Sequence, residues 1–154
     1  MSEYLFAYGT LQPDQVPEEV ASAVAKLEPV GKGSVRGVLY DLGEYPGAVL
    51  KTASRKRITG TVFRLSSDPK VLRELDAYEG FDPKAPERSL FVRALHRVTL
   101  SQGGTLRCWV YEYNKEPGAA KVLSAGRFRT SRGRNQASAR VAVQRKAQKA
   151  KAAR

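Results

Sequence analysis

Cysteine is almost absent from this chain, and long apolar stretches are absent altogether. Cys108 is the only cysteine, so no disulfide can form within the chain, as is typical of proteins in a reducing compartment. No apolar run approaches the roughly 20 residues that a membrane helix needs. The first residues also lack the basic segment and long apolar stretch of a secretory signal. We therefore expect a cytoplasmic protein without a transmembrane segment.

Acidic residues are missing from residues 127–154. Ten of the 27 lysines and arginines lie there, which leaves 17 basic and 15 acidic residues in the rest of the 154-residue chain. The net charge of +12 thus belongs mainly to a C-terminal tail. We expect one folded domain over residues 1–126, a length sufficient for a core. We expect the basic tail, residues 127–154, to be disordered or helical only on an anionic surface, because it has little apolar sequence to anchor a helix.

Strand-like segments outnumber helical ones in the remaining chain. Residue types and turn signals predict strands over residues 4–8, 34–42, 48–51, 58–65, 89–100 and 105–113. The last two are joined by Gln102, Gly103 and Gly104, a hairpin signal. We therefore predict an α+β fold built on a small, mostly antiparallel barrel or curled sheet with few helices.

One helix has clear boundaries. Asp68 can cap its start, Pro69 suits the first helical position, and Gly80 is a common residue at a helix end. The apolar stripe of this helix is formed by Val71, Leu72, Leu75 and Tyr78. Glu79 projects into the same stripe, where a carboxylate is unexpected. A second, brief helix is predicted over residues 20–27.

The position of Glu79 has two interpretations. If the helix includes Glu79, its carboxylate is buried, and burial in general makes a carboxylate a more useful base near neutral pH. If the helix ends one residue earlier, Glu79 points into solvent beside Gly80. Periodicity alone favours the second interpretation, because helix ends are uncertain by a residue or two.

Five short motifs, in this order, resemble those of the γ-glutamylcyclotransferase-like superfamily. They are residues 6–11 (FAYGTL), 45–47 (YPG), 75–80 (LDAYEG), 91–93 (FVR) and 108–111 (CWVY). The first resembles the signature YG(S/T)L, and the third resembles LDxxEG, whose glutamate is the catalytic residue of the family. The last resembles the strand that supplies an active-site tyrosine. The resemblance covers residues 1–115 and implies a small mixed β-barrel with flanking helices, in agreement with the strand pattern.

The resemblance also implies an enzyme that converts a γ-glutamyl amide or γ-glutamylamine to 5-oxoproline and a free amine. The α-amine of the substrate attacks its own γ-carbonyl, and Glu79 is the implied general base and acid for this step. The turn at residues 8–11 is suited to aim backbone N–H groups at the substrate carboxylate or the oxyanion. The implied substrate-binding residues are Tyr8, Gly9, Thr10, Leu11, Arg93 and Tyr111. An intramolecular cyclisation needs no metal and no redox cofactor.

These site residues also have plain structural interpretations. Gly9 and Thr10 are alternatively no more than the turn after a strand, and Tyr8 and Tyr111 are alternatively core aromatics. Arg93 is either a surface arginine or the partner of an acidic residue such as Asp76. His96 has no second metal ligand nearby, so we interpret it as a surface or packing residue.

One departure from the family pattern concerns Phe91, which stands where many members have tyrosine. A phenolic hydroxyl is therefore missing, and specificity or activity differs if that hydroxyl binds substrate. Residues 81–88 contain two prolines and are predicted to form a loop that lines or covers the pocket. Cys108, next to Trp109, is interpreted as a buried thiol.

Two other functions stay open at this point. The chain could be a member of the fold without catalytic activity that binds a small metabolite or a partner. Alternatively, the barrel could serve as a scaffold for the tail, which would bind nucleic acid through its phosphates or an anionic membrane surface, weakly and without sequence preference. A tail that only aids solubility is the simplest alternative. The leaving amine and the oligomeric state have no signal in the sequence.

Overall fold

A computed structural model describes residues 2–9 and 17–127 of the chain. The strands of this part are β1 Tyr4–Ala7, β2 Glu28–Asp41, β3 Pro46–Leu50, β4 Arg57–Arg64, β5 Phe91–Leu100, β6 Thr105–Tyr113 and β7 Lys121–Val122. Its helices are α1 Ala21–Val24 and α2 Pro69–Glu79, with short 3₁₀ turns at Glu18–Val20 and Pro86–Arg88. Thr10, Leu11 and the basic tail beyond Arg127 lie outside the described residues, so the expectations for them stay predictions.

Five of the strands close into a barrel. Their order is β2-β4-β1-β6-β5, and a short pairing of β2 with β5 closes the ring. The neighbours run antiparallel except β1 and β6, which are parallel. Outside the ring, β3 and β7 pair with the C-terminal half of β2. The predicted α+β fold, a small mixed and mostly antiparallel barrel with flanking helices, is confirmed.

The strand β2 is longer than the sequence predicts. Pro29, Gly31 and Gly33 are unfavourable in strands, so the prediction began at residue 34, whereas β2 begins at Glu28 with a register shift between Pro29 and Gly31. A Cβ on Gly33 would come within 2.9 Å of Val98 Cγ1 and 3.0 Å of the Thr99 carbonyl oxygen. The missing side chain therefore lets β2 and β5 approach closely enough to close the barrel.

Two apolar clusters lie on the two sides of the barrel wall, as the alternation of side chains along a strand requires. The cluster inside the barrel contains Phe6, Val35, Ile58, Val62, Val98, Cys108 and Val110. The cluster between the barrel and the helices contains Leu5, Phe63, Val71, Leu75, Tyr78, Leu90, Phe91 and Tyr111. Burial raises the pKa of the Cys108 thiol to about 11, and its interpretation as a buried thiol is confirmed.

The helix α2 begins and ends where the sequence predicts. Asp68 caps it by accepting a hydrogen bond from the Lys70 N–H at 3.0 Å, and Pro69 is its first residue. Gly80 ends it in the left-handed conformation, with φ 71° and ψ 34°. The Phe81 N–H donates to the Asp76 carbonyl at 2.9 Å, which completes a Schellman-type end. No helix of the described ranges is long and apolar enough to cross a membrane.

Candidate active site

Glu79 occupies the last position of α2 and is buried, with 7% of its surface exposed. The Gly80 end keeps Glu79 within the helix, and the packing of Leu75 and Tyr78 against the barrel turns this side of the helix inward. The interpretation in which the helix ends earlier and Glu79 points into solvent is therefore wrong. Asp76, one turn earlier on the same side, is also buried.

The side chain of Tyr8, just beyond the end of β1, ties three strands together. Its hydroxyl donates a hydrogen bond to the Tyr111 carbonyl oxygen and accepts one from the Ala48 N–H at 3.3 Å. Burial raises the pKa of the Tyr8 phenol well above its ordinary value, and the negative charge of Glu79 raises it further, while the Ala48 bond lowers it. The phenol is therefore neutral at physiological pH and fixes β1 against β3 and β6.

The side chain of Tyr111 on β6 reaches α2. Its hydroxyl donates a hydrogen bond to Asp76 Oδ1 at 2.6 Å. Burial raises the pKa of this phenol well above its ordinary value. The charge of Asp76, the hydrogen bond to Asp76 and the charge of Glu79 raise this pKa further, in that order, whereas the charge of Arg93 lowers it. The charge of Glu79 thus acts on both buried phenols. The three groups therefore lie near one another between α2 and the barrel.

Arg93 on β5 is the ion-pair partner of Asp76. Its Nε and Nη2 donate to the two carboxylate oxygens of Asp76 at 2.8 and 3.2 Å, and both side chains are largely buried. The guanidinium also lies 4.4 Å from the centroid of Trp109 and 5.5 Å from that of Phe81. Of the two structural interpretations of Arg93, the structure shows the one in which it pairs with an acidic residue and not the one in which it is a surface arginine. A direct contact of Arg93 with substrate stays a prediction.

Two of the motifs meet at Gly9. A Cβ on Gly9 would lie 2.9 Å from Pro46 Cγ, which is closer than real Cβ contacts, so the absence of a side chain lets the turn after β1 pack on Pro46. The motif at residues 45–47 therefore supports the turn at residues 8–9. The roles of Thr10 and Leu11 in binding stay predictions.

The remaining residues that the sequence singled out lie beside this site or away from it. Phe91 is fully buried, with ring centroids 5.9 Å from Tyr45 and 5.5 Å from Tyr113. His96 Nε2 is 3.0 Å from Glu112 Oε2, as fits a packing residue. No group of three or more His, Cys, Asp or Glu side chains in the described ranges could hold a metal ion.

Sequence reasoning missed the part that Asp76 plays in the site. It named Asp76 only as a candidate partner for Arg93, whereas this carboxylate also accepts the Tyr111 hydroxyl. A usable signal was present, because Leu72, Asp76 and Glu79 follow the helical spacing of four and then three residues. The carboxylates of Asp76 and Glu79 therefore both face inward from α2, and they have different neighbouring groups.

The closed, mixed five-stranded barrel and the buried glutamate at the end of its packed helix are the fold and the site that the resemblance to γ-glutamylcyclotransferase-like proteins implies. The family model described as Gamma-glutamyl cyclotransferase, AIG2-like matches residues 5–130. The chain belongs to this family.

Solved structures show the same fold. An AIG2-like protein from Mus musculus is 20% identical with a TM-score of 0.63, and the match covers 85% of this chain and 97% of that one. Protein ytfP from Escherichia coli is 26% identical with a TM-score of 0.52, covering 81% and 95%. YkqA from Bacillus subtilis is 20% identical with a TM-score of 0.61, and the match covers 83% of this chain but 40% of YkqA. A comparison with curated protein sequences found no match.

Proposed function

We propose that this protein converts a γ-glutamyl amide or γ-glutamylamine to 5-oxoproline and a free amine, with Glu79 as general base and acid. The observation that carries the proposal is the burial of Glu79 at the end of α2, where its charge acts on the phenols of Tyr8 and Tyr111. Family membership supports the same reaction class. The buried free thiol of Cys108 fits a reducing, cytoplasmic location.

The proposed reaction is an internal displacement at the γ-carbonyl. Glu79 takes a proton from the α-ammonium of the substrate, and the amine nitrogen then forms a bond to the γ-carbon. The bond between that carbon and the leaving nitrogen breaks as Glu79 delivers its proton to the leaving nitrogen. The ring nitrogen loses its second proton, which protonates the released amine to an ammonium ion. The products are a five-membered lactam and an amine, and no water is consumed. Backbone N–H groups of the turn at residues 8–11 are the proposed donors to the oxyanion.

Asp76 and Arg93 are proposed as positioning residues. Their ion pair and the bond from Tyr111 to Asp76 join α2 to β5 and β6, which holds the end of the helix, and with it Glu79, against the barrel. The hydroxyl of Tyr8 is already engaged with Tyr111 and Ala48. Its proposed part in binding is therefore to fix the turn that follows it.

The proposal is tested with the full-length protein on a panel of γ-glutamyl compounds. The panel should include γ-glutamyl amino acids, γ-glutamyl alkylamines and a γ-glutamyl-lysine isopeptide, with release of 5-oxoproline followed by chromatography. We expect turnover of at least one class. If no compound releases 5-oxoproline above the rate without protein, while one of them binds in calorimetry, the protein is a binding member of the fold rather than an enzyme.

The substitution Gly80→Ala is expected to lower turnover by displacing Glu79. Gly80 and Gly118 both have left-handed backbones, with φ of 71° and 57°. A side chain in this conformation costs about 1–2 kcal/mol. Gly118 is exposed, whereas Gly80 is buried, so Gly118→Ala is a control for backbone strain alone. We expect Gly80→Ala to lose at least as much stability in urea unfolding as Gly118→Ala, and only Gly80→Ala to lose kcat. Equal kcat values for the two variants would show that the helix end does not position the catalytic group.

A further inference from the structure

A cleft opens where a short pairing of β2 with β5 closes the barrel. Strands β2 and β5 are paired only at Gly33 with Leu100 and at Ser34 with Thr99. Beyond this point β2 continues along β3 and β5 along β6, so the two strands diverge. The cleft between them has a volume of about 360 Å³, and we call it the seam cleft.

The described lining of the seam cleft is basic. Arg36, Lys51, Arg57, His96 and Arg97 contribute to it, and no aspartate or glutamate does. None of the four arginines and lysines forms a salt bridge within the described ranges. Glu112 is close by, but its carboxylate is taken up by His96 and by the Leu50 N–H.

The barrel places arginines opposite each other on this side. Arg36 lies across from Arg57 on β2 and β4, and Arg97 lies across from Arg107 on β5 and β6. All four are exposed. Like charges directly opposite on neighbouring strands destabilise a sheet. This side of the barrel therefore carries a repulsion that a bound anion would relieve.

Some of these guanidinium groups are held in place before any ligand arrives. Arg57 Nε donates to Ser34 Oγ at 2.8 Å, and its Nη2 donates to Thr99 Oγ1 at 3.0 Å. Arg36 Nη1 donates to the Thr52 carbonyl oxygen at 3.4 Å. The N–H groups that remain can donate to the oxygens of a phosphate, which guanidinium groups bind through a pair of parallel N–H donors.

The basic tail starts next to this surface. The Thr59 N–H donates to the Gly126 carbonyl oxygen at 2.9 Å, and a Cβ on Gly126 would lie 2.1 Å from the Arg57 carbonyl oxygen. The chain therefore passes directly beside Arg57 before it enters the tail. Residues 127–154 add ten lysines and arginines and no acidic residue. The tail cannot neutralise the seam cleft, because both carry positive charge.

We propose that the seam cleft binds the phosphodiester backbone of nucleic acid, and that the ten basic residues of 127–154 strengthen the binding through their charge alone. The cleft is concave and basic, and its described lining contains no phenylalanine, tyrosine or tryptophan, so we expect binding without base recognition. A membrane is the less suitable partner, because the exposed large apolar side chains of the described ranges, Leu95 and Val122, are not part of the cleft. The proposal is independent of the cyclisation.

The test measures binding of the full-length protein to fluorescent 20-nucleotide single strands and 20-base-pair duplexes between 50 and 200 mM salt. The variant Arg36→Gln/Arg97→Gln removes two charges from the seam cleft. The slope of log affinity against log salt should then become shallower by about 1.8 on duplex or about 1.4 on single strands, as expected for two phosphate contacts. Cyclisation should be unchanged.

Two matched variants serve as controls. Arg73→Gln/Arg88→Gln removes the same charge from exposed positions on the helical side, and it should keep the wild-type slope. Arg36→Lys/Arg97→Lys keeps the charge and should retain most of the affinity. If Arg36→Gln/Arg97→Gln keeps the wild-type slope of log affinity against log salt, binding is assigned to the tail alone. Binding to phosphatidylserine vesicles without binding to either oligonucleotide would assign the surface to a membrane, and either result overturns the proposal.

Discussion

Replacing Glu79 by glutamine is expected to reduce 5-oxoproline release by at least about 10²-fold, the lower end of what a positioned acid–base group contributes. The glutamine side chain has nearly the same size and can still form hydrogen bonds, but it cannot take the proton from the α-ammonium of the substrate. The effect should therefore fall on kcat, with little change in KM. Steady-state kinetics on the best substrate of the γ-glutamyl panel measures both.

The control for this substitution is Glu74→Gln on the same helix. Glu74 is exposed, whereas Glu79 is buried, so the same chemical change is made outside the site. We expect wild-type kinetics for Glu74→Gln and an unchanged circular dichroism spectrum for both variants. If Glu79→Gln retains activity within tenfold of wild type, Glu79 is not the acid–base group.

Replacing Asp76 by alanine is expected to destabilise the fold by about 3–5 kcal/mol, the usual effect of removing one partner of a buried ion pair. The substitution leaves the guanidinium of Arg93 without its carboxylate and the hydroxyl of Tyr111 without its acceptor. Domains of this size are stable by only about 5–15 kcal/mol, so the loss is large. Urea unfolding followed by circular dichroism measures it.

An exposed ion pair provides the comparison for Asp76. Glu28 and Arg64 lie 3.5 Å apart with both side chains largely exposed, so Glu28→Ala should cost less than about 1 kcal/mol. A double-mutant cycle of Asp76→Ala with Arg93→Ala should give a coupling of about 0.5–3 kcal/mol. A loss below about 1 kcal/mol for Asp76→Ala would contradict the ion pair as a main link between helix and barrel. Unchanged kcat in a folded Asp76→Ala protein would show that Asp76 contributes to stability but does not position Glu79.

The limits of α2 were predictable because the signals for them are local. Asp68, Pro69 and Gly80 each act on the backbone within one turn of their own position. The orientation of Glu79 was not predictable from periodicity, because a shift of one residue at the helix end moves its side chain between solvent and core. The left-handed backbone of Gly80 and the burial of Glu79 decided it.

The full extent of β2 could not be predicted from local preferences. Gly33 weakens an isolated strand, yet at this position it permits the close approach of β5. The stabilisation of this part of β2 comes from its pairing with β5, whose residues lie more than 60 positions further along the chain. The parallel pairing of β1 with β6 depends in the same way on residues that are distant in sequence.

By itself, the sequence determined a mostly antiparallel barrel or curled sheet, the limits of α2 and the candidacy of Glu79, because turn residues, strand patterns and the order of the motifs are local or linear features. It also determined that the positive charge concentrates in residues 127–154. Only the tertiary structure decided which groups meet. The contact of Asp76 with Arg93 and Tyr111 and the facing Arg36 and Arg57 of the seam cleft depend on strand register and barrel closure. Both join residues that are far apart in the chain.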